Sequence, residues 1–154
     1  MGIEIGILAV RRSVLINATP GRVWQEFETL ERMQAWFGYP WEQDGRRGHT
    51  LLTYEPRLGG KVELEVTHDG RRRRFGGRIV VFEPARELTF EDAWIPNDDG
   101  WDAPTYITIR LTAALGGTLV ELFHHAIERI GEGAAELHLG FEMGWTAYHL
   151  EALR

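Results

Sequence analysis

Val62, Leu64 and Val66 alternate strictly with Lys61, Glu63, Glu65 and Thr67, a pattern that can bury only one face of a strand. A period of two sends successive side chains to opposite faces. The valines and the leucine are therefore expected inside, with Glu63 and Glu65 in water. Similar strand patterns return at Phe75–Glu83, Glu87–Trp94, Thr105–Ala113 and Thr118–Ile127. Turn residues separate them: His68-Asp69-Gly70, Glu83-Pro84-Ala85 and Leu115-Gly116-Gly117. The one long connection, Ile95 to Pro104, is an acidic loop holding Asp98, Asp99, Trp101 and Asp102.

Other periods flank this run of strands. A first strand is expected over Ile7–Asn17, followed by Thr19 as helix N-cap and Pro20 in the first turn. Val23, Trp24 and Phe27 then mark one short helix. Leu30, Met33 and Trp36 or Phe37 mark a second, ended by Gly38 and Pro40. At the far end Leu137, Phe141, Trp145 and Tyr148 form one stripe over Glu132–Arg154, which predicts a long amphipathic helix. Strands grouped apart from helices indicate an α+β fold with an antiparallel sheet. One terminal helix covers so many strands only if the sheet curls around it, and the pairs Gly59-Gly60 and Gly76-Gly77 are candidate points of curvature.

The chain of 154 residues suits a single domain, 1–154, burying roughly 70% of its unfolded surface. It contains no cysteine, which excludes disulfides, thiolate metal sites and a cysteine nucleophile. A net charge of −6 argues against nucleic acid, and Lys61 is the only lysine available for Schiff-base or phosphate-loop chemistry. The N-terminal MGIEIGILAVRRSVLI is too short and too interrupted to span a membrane, so no membrane insertion and a cytoplasmic location are expected.

Six pieces of sequence in order resemble a known superfamily. They are I-x-A-T-P-x-x-V-W (Ile16 to Trp24), Met33 to Phe37, L-G-G-K-V (Leu58 to Val62), and G-R-I-V-V-F-E-P (Gly77 to Pro84) leading to L-T-F (Leu88 to Phe90). The last two are G-G-T-L-V-E-L-F-H (Gly116 to His124) and G-W-x-x-x-x-L-x-x-L (Gly144 to Leu153). The whole is similar to SRPBCC proteins, the START-like and birch-pollen-allergen-like domains, and within them to the branch related to activators of the heat-shock chaperone ATPase. That resemblance implies a helix-grip fold: a curved antiparallel sheet wrapped around a long C-terminal helix, two short helices after the first strand, and an internal cavity. It fixes no activity, since such folds carry several.

Candidate site residues follow from chemistry weighed against ordinary packing. Trp36, Trp94, Phe141, Trp145 and Tyr148 offer flat apolar area for a ligand pocket, whereas Trp24 sits mid-face on a packing helix and reads as core. His124 and His125 point to opposite faces of one strand. His124, beside Val120 and Leu122, reads as ligand-orienting or structural and not as a metal ligand, because no partner spacing accompanies it. Glu91 and Asp92, with Glu63, Glu65 and Glu121, could supply a buried carboxylate for acid–base work, but the alternation favours a solvated strand face. The Arg71–Arg74 run could grip phosphate or an acidic partner, but the negative total charge favours a hydrated hairpin tip whose arginines alternate between faces. No nucleophile elbow, phosphate loop or catalytic set is visible, so no catalytic residue, metal or cofactor is assigned.

The expected function is binding of a small hydrophobic molecule, aromatic or polycyclic, in the cavity, as carrier or sensor. The alternatives are a chaperone-ATPase-activator-like module with a protein partner or a second copy of the chain, and a cyclase- or dehydratase-type enzyme using the same cavity.

Overall fold

The computed structural model describes residues 9–37, 42–43, 46–47, 50–68, 71–95 and 104–127. The expected C-terminal helix, with Phe141, Trp145 and Tyr148, lies outside the described residues.

The first strand, β1 (Val10–Ile16), gives way to α1 (Pro20–Trp24). The Thr19 hydroxyl accepts from the Arg22 N–H at 3.2 Å and Pro20 occupies the first turn, which supplies one missing acceptor and removes one surplus donor. A single 3-10 turn, Gln25–Phe27, leads to α2 (Leu30–Trp36), capped in the same way by Thr29 on the Arg32 N–H. A small two-stranded ribbon follows, β2 (Glu42–Gln43) with β3 (Arg46–Arg47), which the sequence pattern does not signal.

The remaining strands are β4 (Thr50–Tyr54), β5 (Lys61–His68), β6 (Arg71–Glu83), β7 (Glu87–Ile95), β8 (Thr105–Ala114) and β9 (Gly117–His125). Every pairing in their seven-stranded sheet is antiparallel, in the order β1-β9-β8-β7-β6-β5-β4. The first strand of the chain thus lies against the last, so both ends of the run are tied into one curled layer. This is the α+β architecture that the order of elements implies, of the helix-grip type that the resemblance implies.

The faces follow the period of two. Val62 and Leu64 are buried, Val66 is half-buried, and Glu63 and Glu65 keep partial exposure. Leu88 and Phe90 on β7, Ile107 and Ile109 on β8, and Val120 and Leu122 on β9 continue the buried face by register. The two short helices dock on this concave side through a run of aromatic rings. Trp24 stacks on Phe27 at 4.8 Å, Phe27 meets Trp36 at 5.1 Å, Trp36 meets Phe37 at 5.4 Å, and Phe37 meets Phe90 at 6.0 Å. Such offset and edge contacts add to the area that the rings bury. Polar atoms in the same region are satisfied by backbone: Trp36 Nε1 donates to the Glu26 carbonyl at 3.1 Å, and the Tyr54 hydroxyl donates to the Phe27 carbonyl at 2.6 Å.

One expectation is refined and two require correction. Strand β6 begins at Arg71, so the arginine run belongs to the ladder beside the turn, with Arg72 and Arg74 exposed as expected. Arg73 pairs with Val66, Arg74 with Glu65, and the Arg73 guanidinium lies 4.0 Å from the centre of the Trp94 ring. The register shifts fall between Leu51 and Thr53 and between Ile79 and Val81, not at the glycine pairs. Gly76 serves close approach instead, because a Cβ there would stand 2.1 Å from the Val62 carbonyl oxygen, and its φ is +135°. Asp92, finally, is 6% exposed and not solvated, because its register places it on the buried face opposite Thr105.

Candidate functional site

Two polar groupings lie in the middle of the sheet, one on each face, and His124 and His125 divide between them as adjacent strand residues must. On the concave face, His124 Nε2 lies 2.8 Å from Thr105 Oγ1 and 3.2 Å from Asp92 Oδ2. Thr105 Oγ1 donates to the Asp92 carbonyl at 3.0 Å. Its single proton is thereby used, so His124 must be the donor toward Thr105 and carries hydrogen on Nε2. All three side chains are buried, among Val10, Phe90 and Ile107. Asp92 Oδ1 has no hydrogen-bond partner among the described residues.

The convex face carries the second grouping. Glu87 accepts from Arg110 Nε at 2.8 Å and from Thr89 Oγ1 at 2.9 Å. Thr89 meets Thr108 at 2.8 Å, and Thr108 meets His125 Nε2 at 2.7 Å. Arg11 and Arg110 approach the Phe123 ring at 5.6 and 5.4 Å, and Arg11 also pairs with Glu121. The hydrogen bonds from Glu87 through Thr89 and Thr108 to His125 tie β7, β8 and β9 in register and satisfy buried threonines and a buried histidine.

Open space lies elsewhere. A cleft of about 780 Å³ sits where β1 passes into α1, within the range usual for small-molecule sites. Its apolar walls include Leu15, Ile16, Val23 and Trp36, and its polar walls include Asn17, Arg22 and Glu26. Leu115, at the tip of the β8–β9 hairpin, and Gly117 complete one side. Glu26 Oε1 accepts from Arg22 Nη1 at 2.9 Å and from Arg32 Nη1 at 3.1 Å, so one carboxylate faces two guanidinium groups.

Of the residues expected to hold a ligand, Trp36 lines this cleft while remaining 2% exposed within the aromatic run. Trp94 stands apart, half-buried against Phe75 and Arg73 near the end of β7, and His124 belongs to the Asp92 grouping. Phe141, Trp145 and Tyr148 fall outside the described residues. Sequence reasoning passed over Arg22, Glu26 and Leu115. The i,i+4 spacing of Arg22 and Glu26 was a legible signal for one ion pair. Nothing local could have revealed that Arg32 shares the same carboxylate.

Among the described residues no group of three or more His, Asp or Glu side chains could hold a metal ion, and no helix is long and apolar enough to cross a membrane. Residues 17–154 match the family described as activator of Hsp90 ATPase homolog 1-like protein. A solved protein of Arthrobacter aurescens is 23% identical with a TM-score of 0.66, over 98% of this chain and 88% of that one. One from Chromobacterium violaceum is 21% identical with a TM-score of 0.65, over 94% and 93%. The Aha1 dimer of Colwellia psychrerythraea is 16% identical with a TM-score of 0.59, over 96% and 93%. At these identities the likeness is one of fold. No curated protein matches the chain.

Proposed function

We propose, from the premise that this chain belongs to the activator of Hsp90 ATPase homolog 1-like family, that it binds a small, largely apolar molecule as a carrier or sensor. The supporting observation is the cleft of about 780 Å³ between β1, the two short helices and the β8–β9 hairpin. Apolar and polar surface share its wall about equally, with Leu15, Ile16, Val23 and Trp36 on the apolar part and Asn17, Arg22 and Glu26 on the polar part. Ile16, Val23 and Trp36 are already buried, so the gain on binding comes from the ligand body and from the exposed Leu15 and Leu115, at roughly 1.5–3 kcal/mol per large group taken out of water.

The neutral fluorophore N-phenyl-1-naphthylamine tests this reading. Saturable one-to-one binding with blue-shifted emission is expected, and it should vanish in Ala35→Trp, which fills the cleft from an exposed wall position without disturbing the core. Absence of saturable binding to the unaltered chain would remove the proposal.

An interaction module is the second reading. The family description speaks of a chaperone ATPase, and Leu15 and Leu115 are exposed along the cleft, at 43% and 93%. Stimulation of an Hsp90-class ATPase by the purified chain, lost on Leu115→Asp, would favour it over the carrier. An enzyme acting in the cleft has less support: the buried Asp92–His124 pair does not line it, and Glu26 there is engaged by two arginines.

A further inference from the structure

Two features of the cleft are out of keeping with a wall that merely closes a fold. The first is charge. Arg22 and Arg32 share Glu26, so this cluster keeps one positive charge on a chain whose total is −6. Only Nη1 of the Arg22 side chain is engaged; its other N–H donors have no partner among the described residues. A guanidinium with donors to spare, beside an apolar wall, is suited to a carboxylate or a similar monoanion.

The second feature is Leu115. It occupies the first position of a two-residue hairpin, with φ +49°, followed by Gly116 at +76°, and Ala114 pairs with Gly117 across the turn. Asn, Asp or Gly suits such a position. A leucine is strained there, and at 93% exposure it is also fully hydrated. Neither property benefits the fold by itself. Both become intelligible if an apolar body lies over Leu115, with Leu15 on the same cleft wall.

We propose, resting on the carrier reading, that the cleft takes a single-headed anionic amphiphile. Its monoanionic head is held by Arg22, and its apolar body lies against Trp36 and Val23 on one side and Leu15 and Leu115 on the other. Arg22 sets the preference for an anion, and Leu115 adds affinity for any apolar body.

Calorimetric titration of the intact chain with decanoate and with 1-decanol tests this, because the two share a tail and differ in the head. Decanoate is expected to bind at least tenfold more tightly, a difference of about 1.4 kcal/mol. Arg22→Gln should reduce decanoate to the level of 1-decanol and leave 1-decanol within twofold, and Arg22→Lys should recover part of the preference. Leu115→Gly should weaken both ligands severalfold while the unfolding midpoint stays level or rises, since glycine suits the backbone there. Equal binding of the two ligands to the unaltered chain would overturn the anionic-head proposal and leave the carrier function standing. Binding of neither would overturn both. A lowered midpoint in Leu115→Gly would show that Leu115 packs the fold, and would overturn its ligand role.

Discussion

Thr89 Oγ1 and Thr108 Oγ1 stand 2.8 Å apart across the β7–β8 pair, and Glu87 decides which of them donates. A carboxylate bonded to Arg110 only accepts, so Thr89 spends its proton on Glu87 and Thr108 must donate to Thr89. Thr108 then has only a lone pair left for His125, whose Nε2 must carry hydrogen. The order runs one way along the chain of four groups and fixes the tautomer of a fully buried ring.

Nitrogen-15 NMR of the imidazole should therefore show His125 protonated at Nε2. Thr108→Val, which keeps the shape and removes the hydroxyl, should destabilise the fold by about 1–3 kcal/mol, because it strips partners from two buried polar groups. An Nδ1–H tautomer in the unaltered protein would contradict the proton order.

His124→Ala should be more damaging than its size suggests. It withdraws the 3.2 Å partner of the buried Asp92 carboxyl and leaves Oδ2 with only the 3.4 Å contact to Thr105 Oγ1, a loss of about 1–3 kcal/mol. Asp92→Leu combined with His124→Leu should return most of it, since an apolar pair needs no donor. Urea denaturation of the single and double variants checks the comparison. A double variant as unstable as the single one would show that the pair supplies more than its mutual hydrogen bond.

Gly76 and Gly21 should respond oppositely to alanine. At Gly76 a Cβ meets the Val62 carbonyl oxygen at 2.1 Å and the backbone is left-handed, so Gly76→Ala is expected to lose about 3 kcal/mol or more. Gly21 lies within α1 with nothing inside 4 Å of a Cβ, and Gly21→Ala should gain about 0.5–1 kcal/mol. Thermal unfolding of the two variants reports both signs.

Burial pushes the Tyr54 hydroxyl well above its ordinary range, while the Phe27 carbonyl takes its proton at 2.6 Å. The folded chain thus holds this proton more tightly than the unfolded one. The sign follows: the full contribution to stability is present below about pH 10, where an unfolded tyrosine titrates, and is lost as the pH climbs toward the folded value. Stability should fall above about pH 10. Tyr54→Phe should flatten that alkaline slope while losing about 1 kcal/mol at neutral pH with its hydrogen bond. An unchanged slope would show that other groups control the alkaline limit.

Much of the fold is written in local pattern. The alternation around Val62–Val66 set which side chains turn inward, Thr19, Pro20 and Thr29 set where the helices begin, and Glu83-Pro84-Ala85 and Leu115-Gly116 set where strands reverse. Each depends on neighbours a few residues away, so a linear reading reaches it. The six ordered motifs carried the family in the same way. Strand parity also placed His124 and His125 on opposite faces.

Parity says which face a side chain takes, but not what lies across from it. Asp92 looked like one more acid on a wet strand until the β7–β8 register set it beside Thr105, 13 residues away, and brought His124, 19 residues beyond Thr105, within reach. Trp36, expected to face a ligand, is held in the core by Phe27, Phe37 and the Glu26 carbonyl, and only the assembled helices leave it bordering a cleft. The second guanidinium on Glu26 likewise comes from a different helix. Sequence by itself determined the two short helices, most of the sheet strands and the inward face around Val62–Leu64, because period and capping are local. Tertiary structure alone decided which polar groups meet and where space remains, because both depend on register and packing between segments distant along the chain.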